Sequence, residues 1–113
     1  LKKMHELEKE FDTNLFVPGT KEGLNVELDK AIHLRDFFTM GQLVAFDALS
    51  RNECCGGHFR EEYQTEEGEA LRQDDKFSYA ACWHYMGEDQ DPELIKEPLD
   101  YEFTERKTRN YKS

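Results

Sequence analysis

A chain of 113 residues with 15 basic and 25 acidic side chains, a formal net charge of −10, fits one domain with a modest core. That charge argues against a bare phosphate backbone, and so nucleic acid, and against an anionic lipid surface as partners. With 35% charged and 12% aromatic residues, the chain is too rich in large apolar groups to be a disordered acidic tail.

Cysteine usage and hydropathy narrow the class further. Cys54, Cys55 and Cys82 are odd in number and two are adjacent, which fits a reducing compartment better than a disulfide framework. No apolar run approaches the ~20 residues that span a bilayer, and no signal peptide opens the chain, so no direct membrane insertion is expected. The first residue is Leu1, and the chain is expected to be a piece of a longer protein.

Leu1, Met4, Leu7 and Phe11 form one stripe at helical spacing, with lysines and glutamates on the wet faces. The stripe predicts a helix that fades near Asp12 to Asn14, before the Val17-Pro18-Gly19 turn. Asn25 is suited to cap a second helix, on which Leu28, Ala31, Ile32, Arg35, Phe38, Gln42, Val44 or Ala45, and Leu49 sample one face. The later half of that helix is apolar on nearly all sides, which predicts burial on two faces. Gly41 inside it marks close helix packing or a kink. His33 reads as a helix-surface or half-buried histidine, because a single titratable group without a partner is weak evidence of function. Asp36 and Asp47 lie three helical turns apart, too far for a carboxylate pair in acid–base chemistry.

Gly56 and Gly57 break this apolar run. Beyond a polar connector at residues 73–76, Phe77, Tyr79, Ala81, Trp83 and Tyr85 alternate with smaller or polar residues, the pattern of a strand with one covered face. Leu99, Tyr101 and Phe103 alternate likewise and predict a second strand, with Gly87 to Pro92 as an acidic turn between the two. Pro98, which offers no amide to a ladder, limits where pairing begins. Arg106, Lys107, Arg109 and Lys112 form a small basic tail, ordinarily solvated or a docking element.

Cys54, Cys55 and His58, with Cys82 and His84 as distant ligands, raise a zinc reading, but neither of the short Cys or His pairs usual in structural zinc sites occurs. Cys55 and His58 are close enough in sequence for nucleophilic chemistry, which further requires an activated thiolate and an oriented base; nothing nearby suggests a substrate pocket.

The order Asn-Glu-Cys-Cys-Gly-Gly-His-Phe-Arg-Glu-Glu-Tyr, residues 52–63, resembles the Glu-Ser-Arg-Gly-Ala-His-x-Arg-Glu-Asp-Tyr element of succinate dehydrogenase and fumarate reductase flavoprotein subunits. The match runs through Glu53, Gly56, His58, Arg60, Glu61 and Tyr63. Cys54 stands for the usual Ser, Cys55 for the usual Arg, Gly57 for Ala and Glu62 for Asp, so no contact of the lost guanidinium carries over to Cys55. The likeness is greatest to menaquinone-linked enzymes of anaerobic bacteria.

The resemblance implies a mainly α fold: an antiparallel helical hairpin, part of a three-helix bundle whose first helix precedes Leu1, then a loop and a C-terminal β-hairpin. The expected segments are residues 1–55 (helical), 56–76 (junction loop) and 77–113 (hairpin and basic tail), together one structural domain. It implies a structural and assembly module of a parent enzyme that interconverts succinate and fumarate on FAD and passes electrons to an iron–sulfur subunit. The parent complex would lie peripherally on the inner, cytoplasmic face of the cell membrane. The fragment itself carries no Gly-x-Gly-x-x-Gly and is expected to hold no flavin, bind no metal and have no activity. Glu53, His58, Arg60, Glu62 and Tyr63 are expected to be hydrogen-bonding and ion-pairing groups against the flavin-binding body of the same polypeptide, with Glu53 or Glu62 as the carboxylate that holds Arg60. Two helices burying a face shaped for three would leave Met4, Leu7, Phe11, Leu34, Phe37, Phe38 and Val44 as candidates for an orphan face, and the excised chain is expected to self-associate. The rival outcome is collapse of the hairpin's aromatic face onto the bare helices. A free-standing acidic protein-interaction domain and a small zinc- or thiol-dependent module remain the alternatives.

Overall fold

The computed structural model describes residues 1–20 and 22–108; Arg109 and Lys112 of the basic tail lie outside them. The chain forms two compact units, one ending at Arg51 and the other beginning at Asn52.

The first unit is a helical hairpin. Helix α1 spans Lys2–Asn14 and α2 spans Val26–Ser50. Asn25 caps α2 as its residue type predicts, its Oδ1 accepting from the N–H groups of Glu27 and Leu28, both at 3.1 Å. The same side chain donates from Nδ2 to the Pro18 carbonyl at 3.2 Å, so one residue starts the helix and holds the turn before it. Glu27 and Asp29 add negative charge to the first turn of α2, where the helix dipole favours it.

The helices run antiparallel, since residues early in α1 meet residues late in α2. Asp12 pairs with Arg35, the rings of Phe11 and Phe38 meet edge to face at 5.5 Å, and Gln42 Nε2 donates to Glu8 Oε2 at 2.6 Å. Gly41 lies where α1 comes close: a Cβ built on it would fall 2.5 Å from Met4 Cε. The glycine marks close packing, one of its two expected roles.

The pairing revises the orphan face. Met4, Phe11 and Phe38 are half-buried, the two rings against each other. Leu7 and Leu34 stay exposed, at 42% and 41%, and an open apolar stripe on α2 runs through Phe37, Met40 and Val44, 66%, 58% and 64% exposed at helical i, i+3, i+7 spacing. Met40 belongs to that stripe although it was not among the candidates for the orphan face.

In the second unit, the stretch expected to be an irregular junction folds into two tight hairpin turns. Cys55 and His58 exchange backbone hydrogen bonds at 2.9 and 3.0 Å across Gly56-Gly57. Gly56 has φ +59°, and a positive φ at the first central position alone is the pattern of a type II′ turn, where glycine is strongly favoured. The second turn is closed by the Gln64–Ala70 bridge, with Glu69 O accepting from Thr65 N–H at 2.8 Å and Thr65 O from Gly68 N–H at 2.9 Å.

The expected connector at 73–76 is instead a short helix, α3, Asp74–Phe77, which removes Phe77 from the strand. Strand β1 is Tyr79–His84, and its burial alternates with Tyr79, Ala81 and Trp83 on the covered side, as period two predicts. Tyr85 lies past its end and is 72% exposed.

Strand β2 is Glu93–Pro98, antiparallel to β1, and not the expected 99–104 segment. The register pairs Tyr79 with Pro98 and His84 with Glu93. Leu99 N–H donates to Ser78 O at 3.1 Å, which makes Ser78 and Leu99 a hydrogen-bonded pair and Tyr79 and Pro98 the non-bonded pair beside it. The Pro98 nitrogen therefore faces away from β1, where a missing donor costs no ladder bond. Proline ends this strand where the sequence pattern had it begin one. Among the described residues Tyr101 and Phe103 lie outside any strand, 45% and 89% exposed.

Candidate functional site

The 52–63 loop gathers its groups through backbone geometry first. Glu53 and Cys54 are the most buried residues described, 2% and 0% exposed. Cys54 N–H donates to Leu71 O at 3.0 Å, and Leu71 N–H donates to Tyr63 O at 3.1 Å. The first residues of the loop are thus stitched to the outgoing arm of the second turn, which is why they belong to the second compact unit and not to the helices before them.

Arg60 is the hub. Its Nε and Nη2 both donate to Glu62 Oε1, at 2.8 and 2.5 Å, and its Nη1 donates to Asn52 Oδ1 at 2.7 Å. The guanidinium carbon lies 5.3 Å from the centre of the Tyr63 ring, within cation–π range. Of the two carboxylates expected to hold Arg60, Glu62 is placed on it. Its carboxyl is held below the ordinary glutamate range, first by a hydrogen bond from its own backbone N–H and then by the Arg60 side chain.

Glu53 bonds to the backbone of Gln73. Its Oε2 accepts from Gln73 N–H at 3.3 Å, while Gln73 Nε2 donates to Asn52 O at 2.7 Å. Gln73 therefore ties down the two residues that open the loop. His58 is half-buried and contributes its backbone to the first turn. The structure thus brings Arg60, Glu62 and Tyr63 together and sets Glu53 against Gln73.

Sequence reasoning missed Asn52, Gln73 and the bonding of Cys54. Gln73 lies 21 residues from Asn52 and no periodicity or motif links them. Cys54 was considered as thiol chemistry. Its Sγ instead accepts from Arg60 N–H at 3.1 Å and donates to Arg60 O at 3.2 Å. Cys55 is exposed. Among the described residues no group of three or more His, Cys, Asp or Glu side chains is placed to hold a metal ion.

A shallow recess beside the loop is lined by Thr65, Leu71, Arg72, Asp74 and Lys76, among others. Its arginine is already engaged: Arg72 donates to both Asp74 oxygens at 2.7–2.8 Å from Nη2 and from Nη1 to Lys107 O at 3.2 Å. The Asp74 side chain raises the Arg72 pKa further above its ordinary value, so this guanidinium is committed to holding the chain.

These residues do not fit a flavin dinucleotide. Pyrophosphate binding in this class of cofactor site uses a glycine-rich turn leading from a strand into a helix. Here Gly56 and Gly57 form a strand-to-strand hairpin turn, and the start of α2 is filled by the Asn25 side chain.

The described residues thus form a helical hairpin, a tightly bonded loop and a β-hairpin. The chain belongs to the fumarate reductase flavoprotein C-terminal family, whose model matches residues 1–111. No curated protein and no solved structure shows a significant match. No helix among the described residues is long and apolar enough to cross a membrane.

Proposed function

We propose that this chain is a structural and assembly module that docks its 52–63 loop on the flavin-binding body of the same polypeptide. The parent enzyme interconverts succinate and fumarate on FAD and hands electrons to an iron–sulfur subunit of a complex peripheral to the inner face of the cell membrane. The family match over residues 1–111 carries the reading. The loop supports it physically. Arg60, Glu62 and Asn52 are already bonded to one another, so little side-chain entropy is lost when such a preordered surface docks.

In this reading Glu53, His58, Arg60, Glu62 and Tyr63 shape the contact and perform no chemistry, and the chain by itself binds no flavin. In isolation the open Phe37, Met40 and Val44 stripe drives self-association. The test mixes the 113-residue chain with a separately expressed flavin-binding body and follows amide hydrogen exchange. The docking reading expects new protection concentrated at residues 53–63 and no flavin absorbance in the chain alone. Unchanged exchange across the loop at saturating body refutes docking, and a stoichiometric flavin band in the purified chain refutes the silent-module assignment.

A further inference from the structure

The thiol of Cys54 occupies an unusual place in the loop. It is fully buried while its neighbour Cys55 is exposed, as expected for successive residues of an extended segment that face opposite sides. Its sulfur meets both polar groups of one residue, accepting from the Arg60 N–H at 3.1 Å and donating to the Arg60 carbonyl at 3.2 Å. A thiol is a weak partner in either role. Here the two bonds act on a single residue, and burial keeps water from competing for them.

The Arg60 carbonyl also accepts from Tyr63 N–H at 2.9 Å, and Cys54 N–H reaches Leu71 O at 3.0 Å. Cys54 therefore sits where the return arm of the first hairpin turn meets the second. The side chain fixed at that junction is the one that reaches Asn52, Glu62 and the Tyr63 ring.

We infer that Cys54 is a positioning residue for Arg60, its buried thiol clamping both backbone polar groups of Arg60 and so setting where the guanidinium meets Asn52 and Glu62. The inference deepens the docking reading of the loop. Its readouts are taken on the isolated chain, so they hold or fail independently of whether the loop docks.

Two substitutions separate hydrogen bonding from space filling. Cys54→Ser keeps a donor and an acceptor at the same place, and Cys54→Ala keeps neither. Two NMR readouts report on Arg60: the hydrogen-exchange rate of its amide, and the titration midpoint of the Glu62 carboxyl. In Cys54→Ala the Arg60 amide is expected to exchange about tenfold faster or more, and the Glu62 midpoint to rise toward the ordinary glutamate range. Cys54→Ser is expected to keep both close to the parent values. A folded Cys54→Ala with both readouts unchanged overturns the inference, as does a Cys54→Ser as perturbed as Cys54→Ala. Should Cys54→Ala fail to fold, the parent chain decides. Its Arg60 amide must exchange far more slowly than an unprotected amide, and equal rates overturn the clamp.

Discussion

Arg60 and Glu62 meet through a single carboxylate oxygen, with Nε at 2.8 Å and Nη2 at 2.5 Å from Glu62 Oε1. The side chains are 22% and 55% exposed, so solvent screens the charge on the glutamate side. Removing Arg60 would cost about 1.5–3 kcal/mol if the pair were shielded from water; the exposure of Glu62 lowers that figure. Arg60→Ala should still cost about 1–2 kcal/mol, from the lost Asn52 hydrogen bond and the Tyr63 ring contact. Chemical denaturation measures it. An unchanged midpoint would assign Arg60 wholly to contacts with another body.

The Glu62 carboxyl also gives a pH dependence with a definite sign. Its pKa in the fold is depressed by its own backbone N–H and by Arg60, so its contribution is fully present above the ordinary glutamate value. It is lost as pH falls below that value and through the lower folded pKa. Stability should therefore decline on acidification in that window, and Glu62→Gln should flatten this part of the slope. Denaturant midpoints taken at successive pH values for both chains compare the two; parallel curves would show that Glu62 contributes nothing.

The adjacent glycines of the first turn should behave differently. Gly56 has φ +59° and Gly57 has no such requirement, and a Cβ on either meets open space. Gly56→Ala should destabilise by about 1 kcal/mol through backbone strain alone, whereas Gly57→Ala should be close to neutral. Thermal melts of the two variants check the contrast, and equal losses would mean that the turn is not set by the Gly56 backbone.

Open apolar side chains on α2 lead to the last prediction. Phe37, Met40 and Val44 are all more than half exposed, so replacing them should leave the helical hairpin's own stability within roughly 0.5 kcal/mol per site, as for other surface positions. The paired change Phe37→Glu and Val44→Glu should abolish self-association of the chain. Sedimentation at low micromolar concentration reads the difference, and a parent chain that is already a monodisperse monomer would remove the stripe's assigned role.

What the sequence determined by itself was the local order: two helices, the Asn25 cap and the covered face of β1. Each is written in a repeat or a residue preference that acts within a few positions, and the structure carries each of them. The loop motif was legible as a set of residue types and an order, enough to point to the family. Which groups in it touch was decided only by the tertiary fold. Glu53 faces Gln73, Cys54 binds the Arg60 backbone, and Glu62 takes the guanidinium, through contacts that depend on how two short turns stack. The second strand shows the same division. Residues 99–104 alternate well enough to be a strand, yet Glu93–Pro98 forms it, because pairing is set by register against β1 and by which way the Pro98 nitrogen must face. Periodicity fixes which side of a segment is apolar; only the partner decides which segment pairs.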